Sequence, residues 1–281
     1  NPLFILEYAR YAGSAGPEVP ITVQNIFLTA VDAYSEEQKS FLKKMSAFVH
    51  SFTFEEARFL LERTEGEPEK LEELTGFFVK EGILYEEGGA YFFRNDALKM
   101  AVYSSVLNQN KRILHRAIAD YMREKNAPEY QRLMHHLSRA EAYEELEEVI
   151  LSTPGAIMQL ETIRYVELLL EYLRARREHV PSRRIANLLF YKAAIYFNNG
   201  KTNEADRELK DILAAAVEER NYEYAARAYH ILTAYNLKLC SFQNAELCGR
   251  KALAYYDRVG ASGEARRDVL RNMAVSEMLR N

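Results

Sequence analysis

The sequence predicts a mostly α-helical chain in which a domain carrying one small β-hairpin leads into an α-α superhelix of helical hairpins. Two observations predict the superhelix. From Pro128 onward apolar residues keep a helical period, with breaks at Pro154-Gly155, Pro181, Gly200, Asn221 and 260–263. Within that stretch small residues, Ala193 and Ala205, fall where two helices must approach closely. A third observation predicts the first domain. Three short helical patterns are followed by a stretch of shorter period, 83–94, with Gly88-Gly89 inside it.

Taken in order, residues 1–12 read as a short apolar helix with Pro2 in its first turn. Residues 13–20 hold two Gly and two Pro and read as a linker. Helix resumes over 21–34, with Val23, Ile26, Phe27 and Ala30 on one face. Ser35 with Gln38 is a capping box opening a helix to about Val49, with Phe41, Leu42, Met45 and Phe48 inward. Thr53 with Glu56 does the same for 54–63. Pro68 opens a third helix through Leu71, Leu74, Phe77 and Phe78, and Gly82 ends it. Strands at 83–85 and 90–94 flank a turn at 86–89. Asp96 starts a helix carrying Leu98, Val102, Tyr103 and Val106. Residues 109–124 continue as helix with Ile113, Leu114, Ala117, Ile118 and Tyr121 inward. Three helices and then a hairpin is the order of a winged helix, so 21–126 is read as a winged-helix-like domain.

Residues 127–281 give helices near 128–138, 142–151, 161–178, 183–198, 202–219, 221–238, 241–257 and 263–279. Ala193, Tyr196, Gly200 and Ala205 match the spacing of a tetratricopeptide unit, a helix–turn–helix of ~34 residues. Tyr229, Leu232, Ala245 and Ala252 begin a second unit, with Cys240 where the turn glycine belongs. Ala205 to Ala245 is 40 residues, so the helices are longer than the tetratricopeptide standard. The last helix has no hairpin partner in the chain. That, with a start at Asn1 and an end inside a helical pattern, gives the expectation of a piece cut from a longer protein.

Composition excludes several functions. A net charge of −4 is no nucleic-acid signature. Residues 54–81, on the helices that would face DNA phosphates, hold nine glutamates against four basic residues, so a protein-contact role is favoured over direct DNA binding. The two cysteines, Cys240 and Cys248, make no disulfide framework, so a reducing, cytoplasmic compartment is expected. No run of ~18 apolar residues spans a membrane, and no signal peptide is present. No metal site is expected: His135 and His136 are adjacent and face apart on a helix, and no HExxH or CxxC occurs. No GxxxxGK[ST] loop occurs either, so the chain is expected to hydrolyse no ATP, to hold no cofactor and to carry no catalytic residues.

Two groups are candidates for binding. Arg174, Arg176, Arg177, Arg183 and Arg184 stand against the single Glu178 and could meet an acidic partner, a nucleotide or nucleic acid. Arginines near a helix C-terminus also complement its dipole, and that plainer reading is favoured. Tyr191, Tyr229 and Asn236, on first helices of the repeats, are candidates for lining a concave face that takes a peptide or small effector.

Two stretches resemble the signal-transduction ATPases (STAND proteins, of the maltose-regulon-activator type) that join an NTPase module to helical repeats. Asn1-Pro2-Leu3-Phe4-Ile5-Leu6-Glu7 looks like the Asn-Pro-aromatic-hydrophobic-Glu helix near the end of that module. Phe93-Arg94-Asn95-Asp96-Ala97-Leu98, with Ala101-Val102-Tyr103 and Arg112-Ile113-Leu114-His115, is similar to the segment closing its winged-helix domain. The resemblance implies that 1–20 is the tail helix and linker of a missing upstream ATPase module, which acts in cis and binds ATP or ADP. It implies a regulatory and sensing segment of a bacterial transcriptional activator, with repeats that bind a protein or small effector. It also implies a nucleotide-sensing position at Asn95, where many members carry His; Asn donates a hydrogen bond but carries no charge. Read locally, Asn95 ends a strand and caps the helix from Asp96. The alternatives are the regulatory region of a nucleotide cyclase or kinase, and a free-standing repeat adaptor.

Overall fold

A computed structural model describes residues 21–125, 129–152, 158–176, 182–261 and 263–280. The helix at 1–12, the linker, the breaks at Pro154-Gly155 and Pro181, and Arg177 lie outside them, as do the side chains of Val23 and Ile26. The chain divides into two compact units between Leu146 and Glu147.

The first unit opens with α1 (Ile21–Asp32), α2 (Glu36–Met45), β1 (Ser51–Thr53), α3 (Phe54–Arg63), a 3-10 turn (Pro68–Lys70) and α4 (Leu71–Lys80). Then come β2 (Leu84–Glu87), β3 (Ala90–Phe93), α5 (Asp96–Ser104), α6 (Asn108–Glu124) and α7 (Tyr130–Arg139). Both expected capping boxes form, at Ser35 and at Thr53. Gly88 and Gly89 have φ of 61° and 81°, the two positive values that a two-residue type I′ loop requires.

The sheet has three strands, not two, in the order β1-β3-β2, all antiparallel. Helix α2 stops at Met45, and the strand beyond it was not foreseen. Ser51–Thr53 is extended because β3 offers a free edge: Phe52 lies opposite Tyr91, with ring centroids 5.6 Å apart, and stacks on Phe48 at 5.4 Å. The first unit is thus a set of helices around a small three-stranded antiparallel sheet that β1 completes. The core is aromatic: Phe41, Phe48, Phe52 and Phe78 are fully buried. Two residues expected inward are not. Ile113 is 48% exposed, and Ala30 is exposed as well. The buried stripe of α6 runs through Leu114, Ala117, Ile118 and Met122, and Ile113 stands one residue off it.

Helix α8 (Tyr143–Ser152) carries the division between the units. The second unit continues with a 3-10 turn (Leu160–Thr162), α9 (Ile163–Ala175), α10 (Ser182–Asn198), α11 (Thr202–Glu218), α12 (Tyr222–Lys238), α13 (Phe242–Arg258) and α14 (Glu264–Arg280). The last five helices each have 17 residues. Ala193, Ala205, Ala225, Ala226, Ala228, Ala245 and Ala252 are all fully buried, which is how these helices come into close contact. First helices of successive hairpins, α10 with α12 and α12 with α14, touch one another more than the second helices α11 and α13 do. The last helix docks on α12 and α13 through the buried Val269.

Each hairpin link repeats one device. Gly200, Arg220, Cys240 and Gly260 all take positive φ, between 55° and 73°. Behind each, an N–H reaches back five residues: Lys201 to the Tyr196 carbonyl (2.9 Å), Asn221 to Ala216 (2.7 Å), Ser241 to Asn236 (2.8 Å), Ala261 to Tyr256 (3.0 Å). This is a Schellman cap. Cys240 therefore keeps the backbone geometry of the glycine it replaces, at the steric cost that a Cβ meets there. Cys240 is exposed. Cys240→Gly is expected to stabilise the repeats by about 0.5–1 kcal/mol, the relief of Cβ strain exceeding the entropy gained by the unfolded chain. A raised urea midpoint in the variant checks this, and a lowered one contradicts it.

Candidate partner-binding face

The repeat hairpin α12–α13 carries a ladder of tyrosines along its seam. Tyr222 stacks on Tyr255 at 5.9 Å and Tyr229 on Tyr255 at 5.7 Å, with an interplanar angle of 12° for the second pair. All three rings are half-buried. Tyr229 and Tyr255 pack against the alanine core, and Tyr222 is held by its stack on Tyr255. Cations border them. The Arg258 guanidinium lies 5.4 Å over Tyr222 and 5.5 Å over Tyr255, and Lys251 Nζ lies 5.2 Å over Tyr229. Tyrosine and arginine together are the residues enriched at interface hot spots.

The sequence candidates take different places. Tyr229 is in this ladder. Asn236 lies two turns further along α12; its Nδ2 donates to the Leu232 carbonyl at 2.7 Å and approaches Cys248 Sγ at 3.9 Å. Tyr191 is 8% exposed, and its hydroxyl has no hydrogen-bond partner among the described residues. Burial pushes its pKa up to about 12. The ladder partners Tyr222 and Tyr255 are not among the sequence candidates. The signal that could have found them was spacing: Tyr222 and Tyr229 are seven apart on one helix face.

Four of the five arginines are among the described residues. Arg174 and Arg183 are exposed, and Arg176 is exposed with its guanidinium 4.5 Å over the Tyr172 ring. Arg184 forms a two-pronged ion pair with Glu147, its Nε donating to both carboxylate oxygens at 3.2 and 3.1 Å. Glu147 is 7% exposed, so this pair ties α8 to α10. Asn95 caps α5: its Oδ1 accepts from the N–H groups of Ala97 (2.9 Å) and Leu98 (3.1 Å). Part of the acidic stretch is matched within the first unit, Glu55 by Lys125 (3.1 Å) and Glu56 by Arg132 (2.8 Å).

Among the described residues no group of three or more His, Cys, Asp or Glu could hold a metal ion. No helix among them is long and apolar enough to cross a membrane.

No protein-family model matches the chain, and no curated protein matches it. A solved structure does: a Signal Transduction ATPase with Numerous Domains (STAND) protein with a tetratricopeptide repeat sensor from Pyrococcus horikoshii. The two share 15% identity, with a TM-score of 0.41, over 99% of this chain and 48% of that one. The chain thus spans about half the length of that protein.

Proposed function

We propose that this chain is the regulatory segment of a multidomain signalling ATPase of the STAND kind, and that its repeats recognise an acidic protein partner. The output in this reading is transcriptional activation, with ATP or ADP held by an upstream module in cis and the winged-helix-like unit relaying the state of the repeats to it. The observation that carries the binding half is the Tyr222–Tyr255–Tyr229 ladder edged by Lys251 and Arg258. Three prearranged rings offer apolar area at low entropy cost, and the two cations select against basic partners. The order of parts supports the regulatory half: a winged-helix-like unit followed by helical hairpins.

A displayed peptide library tests the face. Wild-type chain is expected to select peptides rich in Asp or Glu around an aromatic residue. Tyr229→Ala is expected to weaken those peptides by about 30-fold, a hot-spot loss of about 2 kcal/mol. Equal binding by Tyr229→Ala and Arg258→Glu would remove the ladder from the site. The regulatory half is tested in the full-length protein: a selected peptide should change its rate of ATP turnover, and an unchanged rate at saturating peptide would sink that part.

A further inference from the structure

The first unit holds a cavity that neither the repeats nor the acidic stretch accounts for. The segment 46–50, α5, α6 and α7 line an open pocket of about 390 Å³. One wall is apolar, with Phe48, Val49 and Met100. The other is cationic. Lys99 and Tyr103 stand one turn apart on α5, and Arg139 reaches in from the end of α7. Lys111, on α6, lies 4.8 Å over the Tyr103 ring.

These cations are held by neutral groups. Lys99 Nζ donates to the Val49 carbonyl at 2.5 Å, and Lys111 Nζ to the Ser104 carbonyl at 3.5 Å. Arg139 donates from Nε and one terminal nitrogen to Tyr103 Oη, at 3.3 and 3.1 Å. None of the three forms an ion pair with a carboxylate among the described residues. Asp96 is the acid on the wall, and it offsets the burial of Lys99 only in part: burial still pulls the Lys99 pKa down to about 8. Like charges are thus gathered in partly desolvated space, an arrangement that an anion would relieve.

The donors are also fixed in direction. Tyr103 Oη accepts from Arg139, so its own proton goes to His115 Nε2, 2.8 Å away. His115 then carries its proton on Nδ1 and donates it to His136 Nδ1, at 2.8 Å. Both imidazoles are buried, at 1% and 0% exposure. The chain holds Tyr103, and Tyr103 holds the guanidinium. Arg139 retains three of its five N–H groups, and Lys99 two of its three.

We propose that this cavity binds small phosphate-bearing anions, with Lys99 and Arg139 as the charged contacts and Tyr103 as the residue that positions Arg139. The volume exceeds that of a bare phosphate and lies in the range of small-molecule sites of ~300–1,000 Å³. With its apolar wall it fits a phosphate ester. The site is independent of the reading of the repeats.

Calorimetric titration of the full chain with phenyl phosphate, inorganic phosphate and phenol tests this. Phenyl phosphate is expected to bind and phenol not to bind. Arg139→Gln and Lys99→Met should each weaken the ester by about tenfold or more. Arg207→Gln, an exposed change on α11, should leave the affinity unaltered. Inorganic phosphate binding as tightly as the ester would identify free phosphate as the ligand; weaker binding would identify an ester. Arg139 is exposed, so its variant is expected to fold, and near-wild-type circular dichroism verifies it. The proposal is overturned if neither phosphate compound binds at millimolar concentration, if both variants bind as the wild type does, or if phenol binds as tightly as phenyl phosphate.

Discussion

Acidification from pH 6.5 toward 4.5 is expected to destabilise the first unit by about 1.4 kcal/mol per pH unit for each of His115 and His136. Burial is the main cause for both. It holds His115 down to about 3, with the charges of His135, Arg139 and Lys111 acting in the same direction, and it holds His136 well below the ordinary imidazole range. The unfolded chain takes up protons at about 6.5. Below that value the unfolded state binds more protons than the folded one, so stability falls with pH until the folded imidazoles titrate. Above 6.5 neither state is protonated and the contribution vanishes. The window lies mostly above the carboxylate range, so Asp and Glu contribute little to the slope. Amide hydrogen exchange of α6 and α7 at pH 7.5, 6.5 and 5.5 measures it locally. That choice matters because His230, on α12, is also lowered by burial and adds the same sign in the repeats. A His115→Phe, His136→Leu double variant should lose the slope. A double variant that keeps it would place the acid sensitivity elsewhere.

The second large effect is expected at Phe78. This ring is fully buried and makes three aromatic contacts: stacked on Phe41 at 5.7 Å, and edge-on to Tyr34 at 5.4 Å and to Phe77 at 5.1 Å. It therefore joins α4 to α2 and to the end of α1. Phe78→Ala is expected to cost about 3–5 kcal/mol, because the lost transfer energy is joined by a cavity that the rigid neighbouring rings cannot close. Phe77→Ala, two-dimensional neighbour in sequence but half-buried, should cost less. Urea unfolding of the two variants side by side checks the order. An equal loss at both positions would mean that the Phe41–Phe78 stack is not the centre of this core.

What could be read from the residues was whatever is decided locally. The capping boxes at Ser35 and Thr53, the glycine turn at 88–89, and the repeat helices of 182–280 all follow from side chains within four residues of one another. The strand at Ser51–Thr53 did not, because three residues without alternation carry no period; β3, some forty residues on, makes them a strand. The cation-lined cavity is tertiary in the same way. Lys99 and Tyr103 share a face of α5 by spacing, but His115, His136 and Arg139 reach them only once α6 and α7 fold back. Within the repeats, Tyr229 was selected as a partner-binding candidate, and it lies beside Tyr222 and Tyr255. Tyr191 was selected on the same grounds and is buried, because periodicity names a helix face without saying how deeply a neighbour covers it.

The even tread of the repeat links has a consequence for how such a chain can change length. Positive φ recurs at residues 200, 220, 240 and 260, one helix apart each time. Duplicating or deleting two treads keeps the phase, so every later helix stays on its own side of the array. Duplicating or deleting one tread inverts the phase and moves each later first helix to the second-helix side. The chain is therefore free to grow by whole hairpins and barred from growing by halves, as a staircase that alternates left and right can be extended only in pairs of steps.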